Sequence, residues 1–409
     1  MNLTSAAIPD AKGDHKTNQV DVLFCMNNFA ALGIQRAICG ILNNWDNHTY
    51  GNVLLSVHNR SGELLESLDS SVPVVELDGL VHPLRGIATA FRLAAYLRLL
   101  RRYRPRVVFA VNQFEALCLC AVKRFYPDFR LVVSENCHVS SNLYGADRHR
   151  GWFGAYYRGM FRREYSAYAD IVHTVAEEAA DDLVINHGID RSKIRVIYNP
   201  VDIHSLAKGG AESVDHEWLG SGKTVVIAAS RLAAQKRIDV LLKAWRIIMS
   251  KGAVGDLGLA RLLICGDGEL RAELAALTER LGIADSVRFV GFQSNPWKWI
   301  SKANLFVSTS EWEGLPCSLI EAQALGIPVV SSDCPSGPKE ILCNGRAGYL
   351  FKTGSVEDCA QKLAEALADG SDRRRRAAEG TKHLARFEAA RIASEYGELA
   401  RSLMRGKPQ

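Results

Sequence analysis

The chain has 409 residues, 47% of them hydrophobic, and a formal net charge of +5. This length favours two or three domains, each with enough apolar residues for a full core. No run of eighteen or more apolar residues occurs, so we expect no transmembrane helix. The first twenty residues are polar and lack the apolar run of a signal peptide. Composition therefore predicts a cytoplasmic protein built from globular domains.

The cysteines argue against two kinds of site. Ten are scattered along the chain, and none forms a C-x-x-C pair or a spacing typical of zinc. We therefore expect free thiols in a reducing compartment, and no bound metal or cofactor.

The positive charge is concentrated in one region. Residues 80–165 contain fifteen Lys and Arg and five Asp and Glu, an excess of ten positive charges. At its centre, residues 91–106 (FRLAAYLRLLRRYRPR) combine apolar residues at helical spacing with many arginines. This pattern fits either a solvated helix face or a surface that binds anionic lipid headgroups. Nucleic acid is disfavoured because interleaved aromatic residues and a nucleic-acid motif are missing from the sequence.

Short β-branched segments alternate with helical patterns through the first half of the chain. The predicted strands are VDVLFCMNN, NVLLSVH, RVVFAVN, RLVVSEN, ADIVHTVA and IRVIYNPVD, and the longer segments between several of them have helical periodicity. Such alternation indicates a parallel sheet with helices on both faces.

The same alternation restarts after a polar segment rich in Gly and Ser, residues 204–223, which we interpret as a linker. The predicted strands of the second half are TVVIAASR, RLLICGDGE, VRFVGF, LFVSTS and PVVSS. The chain is therefore predicted to be an α/β protein with two doubly wound, Rossmann-like domains. Ligands of such sheets bind outside the carboxyl ends of the strands, so we expect the site in a cleft between the domains.

Two cations follow the strand TVVIAAS, namely Arg231 and Lys236. At a strand-to-helix turn this pair can hold a diphosphate, although an ordinary salt-bridged or solvated helix start is the alternative. After the next strand, Gly266 begins a Gly-Asp-Gly turn that would allow close backbone approach. The turn lacks the full G-x-G-x-x-G pattern, so it does not predict a dinucleotide site.

The segment EWEGLPCSLIEAQALG, residues 311–326, presents two carboxylates around a helix start. Pro316 is placed as a first helical residue and Gly326 as a stop. Glu321 has apolar neighbours, so its carboxylate needs a partner, and Glu313 lies in the preceding loop. The helix start supplies free amides for an anion, and carboxylates accept hydrogen bonds from vicinal hydroxyls. Together with the cations, these residues predict a nucleotide-sugar site.

Several of these segments resemble the carboxy-terminal domain of the retaining family 4 glycosyltransferases, which have the GT-B fold. They are SRLAAQKRIDVLLKAW, LLICGDGELRAELAAL, VRFVGF and EWEGLPCSLIEAQALGIPVVSSDCPSGPKEIL, while RVIYNPVD resembles the end of the family's amino-terminal domain. The resemblance extends from about residue 20 to residue 396. It implies an acceptor-binding domain at 1–205, a nucleotide-sugar-binding domain at 206–385, and a helix at 386–409 that returns to the first domain.

The resemblance also implies roles for individual residues. Arg231 and Lys236 would hold the donor diphosphate, Glu321 the ribose hydroxyls, and Glu313 the hydroxyls of the transferred sugar. The turn and helix start would contact the sugar and β-phosphate through Gly314, Leu315, Pro316, Cys317, Ser318 and Leu319. Gly33 would belong to a glycine loop that closes over the diphosphate, although Leu32 stands where relatives usually have a second glycine.

The segment VVSENCH departs further from the family pattern. Relatives place a histidine directly after Ser-Glu, whereas here Asn136 takes that position and His138 follows two residues later. Either His138 still reaches the cleft, or Asn136 performs only the hydrogen-bonding part of the histidine's role.

Three functional readings remain open from the sequence. A glycoside hydrolase also needs two carboxylates, but it does not need phosphate-binding cations. A catalytically silent subunit that binds a nucleotide sugar or lipid would fit the missing histidine. A transferase is favoured. Because DCPSGPKEIL resembles bacterial surface-polysaccharide and lipid-linked oligosaccharide transferases, its expected acceptor is lipid-linked or a glycan, and a transferase that acts on a soluble acceptor is the alternative. It is expected at an anionic membrane surface, on the cytoplasmic face of the inner membrane.

Overall fold

The computed structural model describes residues 20–30, 33–77, 85–144, 152–250 and 260–406. Within these ranges the chain forms two all-parallel β-sheets, each in its own domain. Leu32 and the start of the basic region lie outside the described residues.

The N-terminal sheet has seven described strands in the order β3-β2-β1-β4-β5-β6-β7. The strands are β1 (Val22–Met26), β2 (Val53–Val57), β3 (Val74–Glu76), β4 (Val107–Ala110), β5 (Arg130–Glu135), β6 (Ile171–Thr174) and β7 (Ile194–Val196). The accompanying helices are α1 (Gly33–Asn43), α2 (Asn47–Tyr50), α3 (Arg85–Tyr103), α4 (Gln113–Lys123), α5 (Val139–Tyr144), α6 (Trp152–Tyr168) and α7 (Glu177–Ile185). Both faces are covered, because Phe24 and its neighbour Leu23 lie in different buried clusters.

The C-terminal sheet has six described strands in the order β10-β9-β8-β11-β12-β13. The strands are β8 (Val225–Ala229), β9 (Arg261–Cys265), β10 (Val287–Gly291), β11 (Leu305–Ser308), β12 (Val329–Ser332) and β13 (Tyr349–Phe351). The helices are α8 (Ile203–Ala211), α9 (Ile238–Ser250), α10 (Arg271–Arg280), α11 (Trp297–Ile300), α12 (Cys317–Ala324), α13 (Pro338–Ile341), α14 (Val356–Ala368) and α15 (Gly370–Lys382). Val226 and Ile227 again point into different clusters, so this sheet is also buried on both faces.

The strand order reverses between β1 and β4 in the first sheet and between β8 and β11 in the second. Ligand sites of doubly wound sheets lie at such switch points, outside the carboxyl ends of the strands. The loop after β5 contacts the loop after β11, since the backbone of Asn136 lies against Gly314. The predicted pair of doubly wound domains facing a central cleft is therefore confirmed.

The prediction of a linker at residues 204–223 was wrong in part. Most of its first half belongs to α8, whose N-terminus is capped by Asp202, and α8 packs on α11 and α12. Trp218, near the end of the segment, is buried in the C-terminal core with 3% of its surface exposed. The polar, glycine-rich composition suggested an exposed linker. In the structure, however, Gly209 and Gly210 are buried against neighbouring side chains.

The chain crosses between the domains at two adjacent points. The Val201 N–H donates to the Phe387 carbonyl oxygen over 2.7 Å, and Val201 pairs with Glu388 in a parallel bridge. After this second crossing, α16 (Ala389–Arg405) packs on α1, α2 and β4 of the N-terminal domain.

The apolar side of α16 completes one face of the N-terminal core. Ile392, Tyr396 and Ala400 are buried there, and the Tyr396 hydroxyl lies 3.1 Å from Nε2 of His173. Gly397 lies so close to the Tyr50 ring that no side chain fits between them.

Two expectations from composition concern membranes and thiols. No helix in the described ranges is both long and apolar enough to cross a bilayer. All ten cysteines are unpaired, and eight of them are buried.

We predict that Gly397→Ala destabilises the fold, because the added Cβ would lie 2.3 Å from Cγ of Tyr50. Overpacking of this kind costs about 1–3 kcal/mol. Glu398→Ala, at the exposed next position, is the control and should change stability by less than about 0.5 kcal/mol. Urea unfolding followed by circular dichroism measures both. Equal stability of the two variants would contradict the close packing of α16 on α2.

Candidate functional site

The start of helix α12 forms part of the candidate site, at the carboxyl edge of the C-terminal sheet. It starts at Cys317 rather than at Pro316, which holds the N-cap position. Pro316 has no N–H, so the free amides at the start of the helix are those of Cys317 and Ser318, which have no carbonyl partner one turn earlier. Leu319 is fully buried and anchors the helix in the core. Just past the helix, Gly326 adopts a φ of 74°.

Glu313 is engaged with a cation from the neighbouring turn. Lys236 Nζ lies 2.5 Å from Glu313 Oε1, and the Ser310 hydroxyl donates to the same oxygen over 2.6 Å. Glu313 is 9% exposed, so the pair is well shielded from water. These groups and Ser318 line one small hollow. Lys236 is thus held by the carboxylate predicted to bind the transferred sugar.

The other cations of this edge differ in their availability. Arg231 is exposed, and its guanidinium has no ion-pair or hydrogen-bond partner among the described residues. Arg237, by contrast, adopts a left-handed φ of 45° and pairs with Glu311 and Asp239. Of the two predicted diphosphate ligands, Arg231 is therefore exposed and unpaired among the described residues, whereas Lys236 is paired with Glu313.

Two of the predicted glycines are required by close backbone contacts. At Gly266, which has a φ of 135°, a Cβ would lie 1.8 Å from the carbonyl oxygen of Ser230. At Gly314 it would lie 1.9 Å from the carbonyl oxygen of Asn136, in the other domain. Gly33 is different: it is exposed at the start of α1, and nothing lies within 4 Å of an added Cβ. A side chain there would project into open space beside the cleft.

The loop after β5 joins the two domains through its backbone. The His138 N–H donates to the Glu313 carbonyl oxygen over 2.9 Å. The Asn136 side chain turns back to its own sheet, where Nδ2 donates to the Val111 carbonyl oxygen over 2.6 Å. Neither contact was predictable from the substitution of the family histidine by Asn136.

The His138 ring is held by its own domain. Nδ1 lies 2.9 Å from the Ser141 hydroxyl, and Nε2 lies 3.8 Å from Oδ1 of Asp182. Burial lowers the pKa of His138, and the Asp182 charge opposes this shift. Asp182 also accepts from the Ser140 N–H over 2.9 Å and lies 3.7 Å from Nε2 of His187. The network fixes the loop that touches Glu313.

Glu321 faces a second, larger cleft between the domains. This cleft has a volume of about 780 Å³, part of it open to solvent, and it is lined by α1, by the crossing segment after Asn199, and by Trp297 and Cys317. Burial raises the pKa of Glu321, while Arg36 and Trp297 act to lower it. Arg36 and Trp297 were missed by the sequence reasoning. The only signal for Arg36 was its place in the turn after Gly33, and Trp297 lay in no motif.

We predict that Lys236 and Glu313 depend on each other for stability. Lys236→Met and Glu313→Gln each leave a shielded polar partner unpaired, which costs about 1–3 kcal/mol. The double variant should lose less than the sum by about 0.5 kcal/mol or more. Urea unfolding of the four proteins, followed by tryptophan fluorescence, measures the coupling. Strict additivity would show that the ion pair is absent in solution.

Among the described residues no group of His, Cys, Asp and Glu is arranged to hold a metal ion.

Comparison with known families matches both halves of the chain. The model of glycosyltransferase family 4 matches residues 33–205, and that of glycosyl transferases group 1 matches residues 214–383. The two matches together take in most of the chain.

Curated relatives carry the same assignment. An uncharacterized glycosyltransferase of Methanocaldococcus jannaschii is 30% identical over 259 residues, 56% of this chain and 63% of that protein. The lipopolysaccharide 1,6-galactosyltransferase of Salmonella typhimurium is 31% identical over 50% of this chain and 54% of its own length. A Campylobacter jejuni N-acetylgalactosaminyltransferase named for a diphospho-undecaprenol-linked substrate is 26% identical over 56% and 59%. The chain thus aligns with 54–63% of the length of these relatives.

A solved structure has a similar fold over nearly the whole chain. Anabaena HepE, in complex with UDP and glucose, superposes with a TM-score of 0.75 and 18% identity over 94% of this chain and all of that one. Such low identity supports the fold alone. The two family matches, one for each domain, show that the chain belongs to family 4 of the glycosyltransferases, and its fold is GT-B.

Proposed function

We propose that the protein is a retaining glycosyltransferase that moves a hexose or N-acetylhexosamine from a UDP-sugar to a lipid-linked or polysaccharide acceptor in cell-surface glycan biosynthesis. One observation carries the proposal: Arg231, Lys236 and the free amides of α12 lie at one edge of the C-terminal sheet, opposite the N-terminal domain. Two relatives named for lipopolysaccharide and diphospho-undecaprenol substrates support the acceptor class. The UDP-bound neighbour supports the donor class.

Donor binding would exchange one partner of Lys236 for another. Lys236 Nζ lies 2.5 Å from Glu313 Oε1 in the structure. A diphosphate bound by Arg231 offers Lys236 a second anion, which leaves Glu313 able to accept from hydroxyls of the transferred sugar. The first amides of α12 then face the negative charge that develops on the diphosphate as the glycosidic bond breaks.

In the proposed reaction, the configuration at the sugar C1 is retained. The bond from the sugar C1 to the phosphate oxygen breaks, and the acceptor oxygen bonds to C1 on the same face. The acceptor proton passes to the departing phosphate, so the products are the glycosylated acceptor and the nucleoside diphosphate. Stabilisation of that leaving group by Arg231, Lys236 and the helix amides would be the main catalytic contribution.

The placement of the carboxylates argues against hydrolysis. Glu313 lines the hollow around Lys236, whereas Glu321 lines the larger cleft on the other side of the start of α12. A hydrolase needs its two carboxyl groups on opposite sides of one glycosidic bond. The two acids thus line different parts of the region around the start of α12, which suits one carboxylate for the sugar and one for the nucleoside.

We predict that Arg231→Ala lowers turnover about 30- to 1,000-fold without changing the fold, because a charge-assisted contact to the leaving diphosphate contributes roughly 2–4 kcal/mol. Release of UDP or GDP from a panel of UDP- and GDP-sugars, with lipid-linked acceptors, measures it. Arg246→Ala, exposed on α9, is the matched control and should be active. Near-normal activity of Arg231→Ala would refute the site. Nucleotide binding without transfer to any acceptor would favour the silent-subunit alternative.

The basic region has the exposed arginines that membrane docking requires. Arg98, Arg101 and Arg102 are exposed on α3, while Leu93 and Leu97 pack on the core and Leu100 is buried. Phe91 stays 41% exposed and Phe125 81%. Most apolar residues of this helix therefore belong to the core, and attraction to a lipid surface would be mainly electrostatic. We propose that this surface docks the protein on an anionic membrane from the cytoplasmic side.

Vesicle co-sedimentation tests the docking proposal. Binding should need anionic lipid and weaken in high salt, because each arginine near such a surface contributes only about 1 kcal/mol and the field is screened within a Debye length. It should drop when Arg98, Arg101 and Arg102 become Ser, but not when the exposed C-terminal-domain residues Arg246, Arg280 and Arg374 do. Equal recovery with neutral and anionic vesicles, or equal loss in both triple variants, would contradict docking through α3.

A further inference from the structure

His58 and Glu115 form a buried pair at the switch point of the N-terminal sheet. His58 directly follows β2, and Glu115 lies in the first turn of α4, which follows β4. Because β1 lies between β2 and β4 in the sheet, the two side chains meet across the carboxyl end of β1. His58 Nε2 lies 2.9 Å from Glu115 Oε1, and the Tyr96 hydroxyl of α3 lies 3.5 Å from the same nitrogen. The pair thus occupies the place where ligands of doubly wound sheets bind.

The Glu115 carboxylate has only one of its oxygens engaged. The side chain is fully buried and His58 contacts Oε1, yet Oε2 has no hydrogen-bond partner in the described part of the chain. A buried carboxylate with an unpaired oxygen is less favourable for stability than an apolar side chain of similar size. Stability alone therefore does not account for the pair, which points to a task that the His58 ring performs.

A series of contacts connects this pair with the candidate site in the other domain. The Asn112 side chain caps α4 by accepting from the Glu115 N–H over 3.4 Å. Val111, the residue before it, accepts through its carbonyl oxygen from Asn136 Nδ2 over 2.6 Å. The Asn136 carbonyl in turn lies against Gly314, in the loop before α12. The pair therefore lies on the N-terminal side of the cleft, away from the cations of the C-terminal sheet.

The exposure of the two side chains shows which of them can meet a ligand. The His58 side chain is 11% exposed, whereas that of Glu115 is not exposed at all. The Glu115 charge favours the tautomer with the proton on Nε2, which donates to Oε1. Nδ1, which forms no hydrogen bond with any described residue, is then an acceptor. Its lone pair accepts from a hydroxyl and repels a phosphate oxygen, so a sugar hydroxyl is the matching ligand.

We propose that His58 binds a hydroxyl of the acceptor sugar through Nδ1, and that Glu115 is a positioning residue that fixes the ring and its tautomer. This inference rests on the proposed function and adds to it an acceptor contact in the N-terminal domain. The loops after β4 and β5 lie between His58 and the loop before α12. The contacted hydroxyl is therefore not the one that reacts with the donor sugar.

The experiment compares sugar transfer with donor hydrolysis on the full chain. The acceptor probes are octyl glycosides of mono- and disaccharides of hexoses and N-acetylhexosamines, and release of UDP or GDP from the preferred donor is followed with and without them. His58→Phe should raise KM for the best glycoside about tenfold and change kcat less than about threefold, as expected when a hydrogen bond common to the ground and transition states is lost. Donor hydrolysis and nucleotide affinity should stay within about twofold.

Further variants separate an acceptor contact from a structural role. Adding Glu115→Leu to His58→Phe should raise KM by less than another factor of about two, because Glu115 acts through His58. This double variant should resist urea as well as the wild type, since apolar residues replace a buried polar pair. Glu115→Gln, which keeps an acceptor for Nε2–H, should lose less transfer than Glu115→Leu. His173→Phe, at another buried histidine of the same sheet, is the control and should lower stability but not raise KM.

Monodeoxy analogues of the best glycoside identify the contacted hydroxyl. One analogue that still reacts should have the raised KM with the wild type and no further rise with His58→Phe. A further tenfold rise for every reactive analogue would overturn the inference.

The remaining outcomes separate the inference from the function on which it rests. An unchanged KM in His58→Phe, or donor hydrolysis that falls as much as transfer, overturns the inference and leaves the proposed function standing. If the wild type hydrolyses a donor but glycosylates none of the glycosides, a sugar hydroxyl is not its acceptor and the inference is overturned. If the wild type cleaves no donor, the proposed function falls and the inference falls with it.

Discussion

The site depends on one place where the backbones of the two domains touch. Gly314 lies so close to the Asn136 carbonyl that no side chain fits, and the His138 N–H bonds to the Glu313 carbonyl at 2.9 Å. Because Glu313 also pairs with Lys236, this contact links the N-terminal sheet to a predicted diphosphate ligand. The position of the loop that carries Glu313 therefore depends on both domains.

Several of the site's charges lie close to opposite charges of the protein itself. Lys236 is paired with Glu313, Arg237 with Glu311, and Arg36 lies where its charge acts on Glu321. A bound donor would replace some of these partners. Its affinity would therefore reflect the difference between the contacts that it makes and the contacts within the protein that it breaks. Arg231 differs, since it is exposed and no described residue pairs with it. It is the group best placed to meet an incoming diphosphate first.

Sequence patterns predicted the long-range architecture well and failed where the signal was short or composite. The strands β3 and β13 were not predicted. Each has only three residues, too few to show a period of two, whereas the equally short β7 was predicted as part of the longer segment IRVIYNPVD. The segment at 204–223 read as a linker because its composition is polar, although α8 and Trp218 pack into the C-terminal domain. Its local composition carries no information about which neighbours cover its glycines.

The sequence by itself determined that two doubly wound domains form, because strand and helix periods alternate twice along the chain, and it placed Arg231, Lys236, Glu313 and Glu321 at strand ends. Only the tertiary structure decided which charges meet. Three contacts join segments that are distant in the sequence. Lys236 pairs with Glu313, the His138 ring lies beside Asp182, and Arg36 lies over the ring of Trp297. Such contacts depend on how the helices and sheets pack and how the domains face each other. Local sequence periodicity carries no information about either.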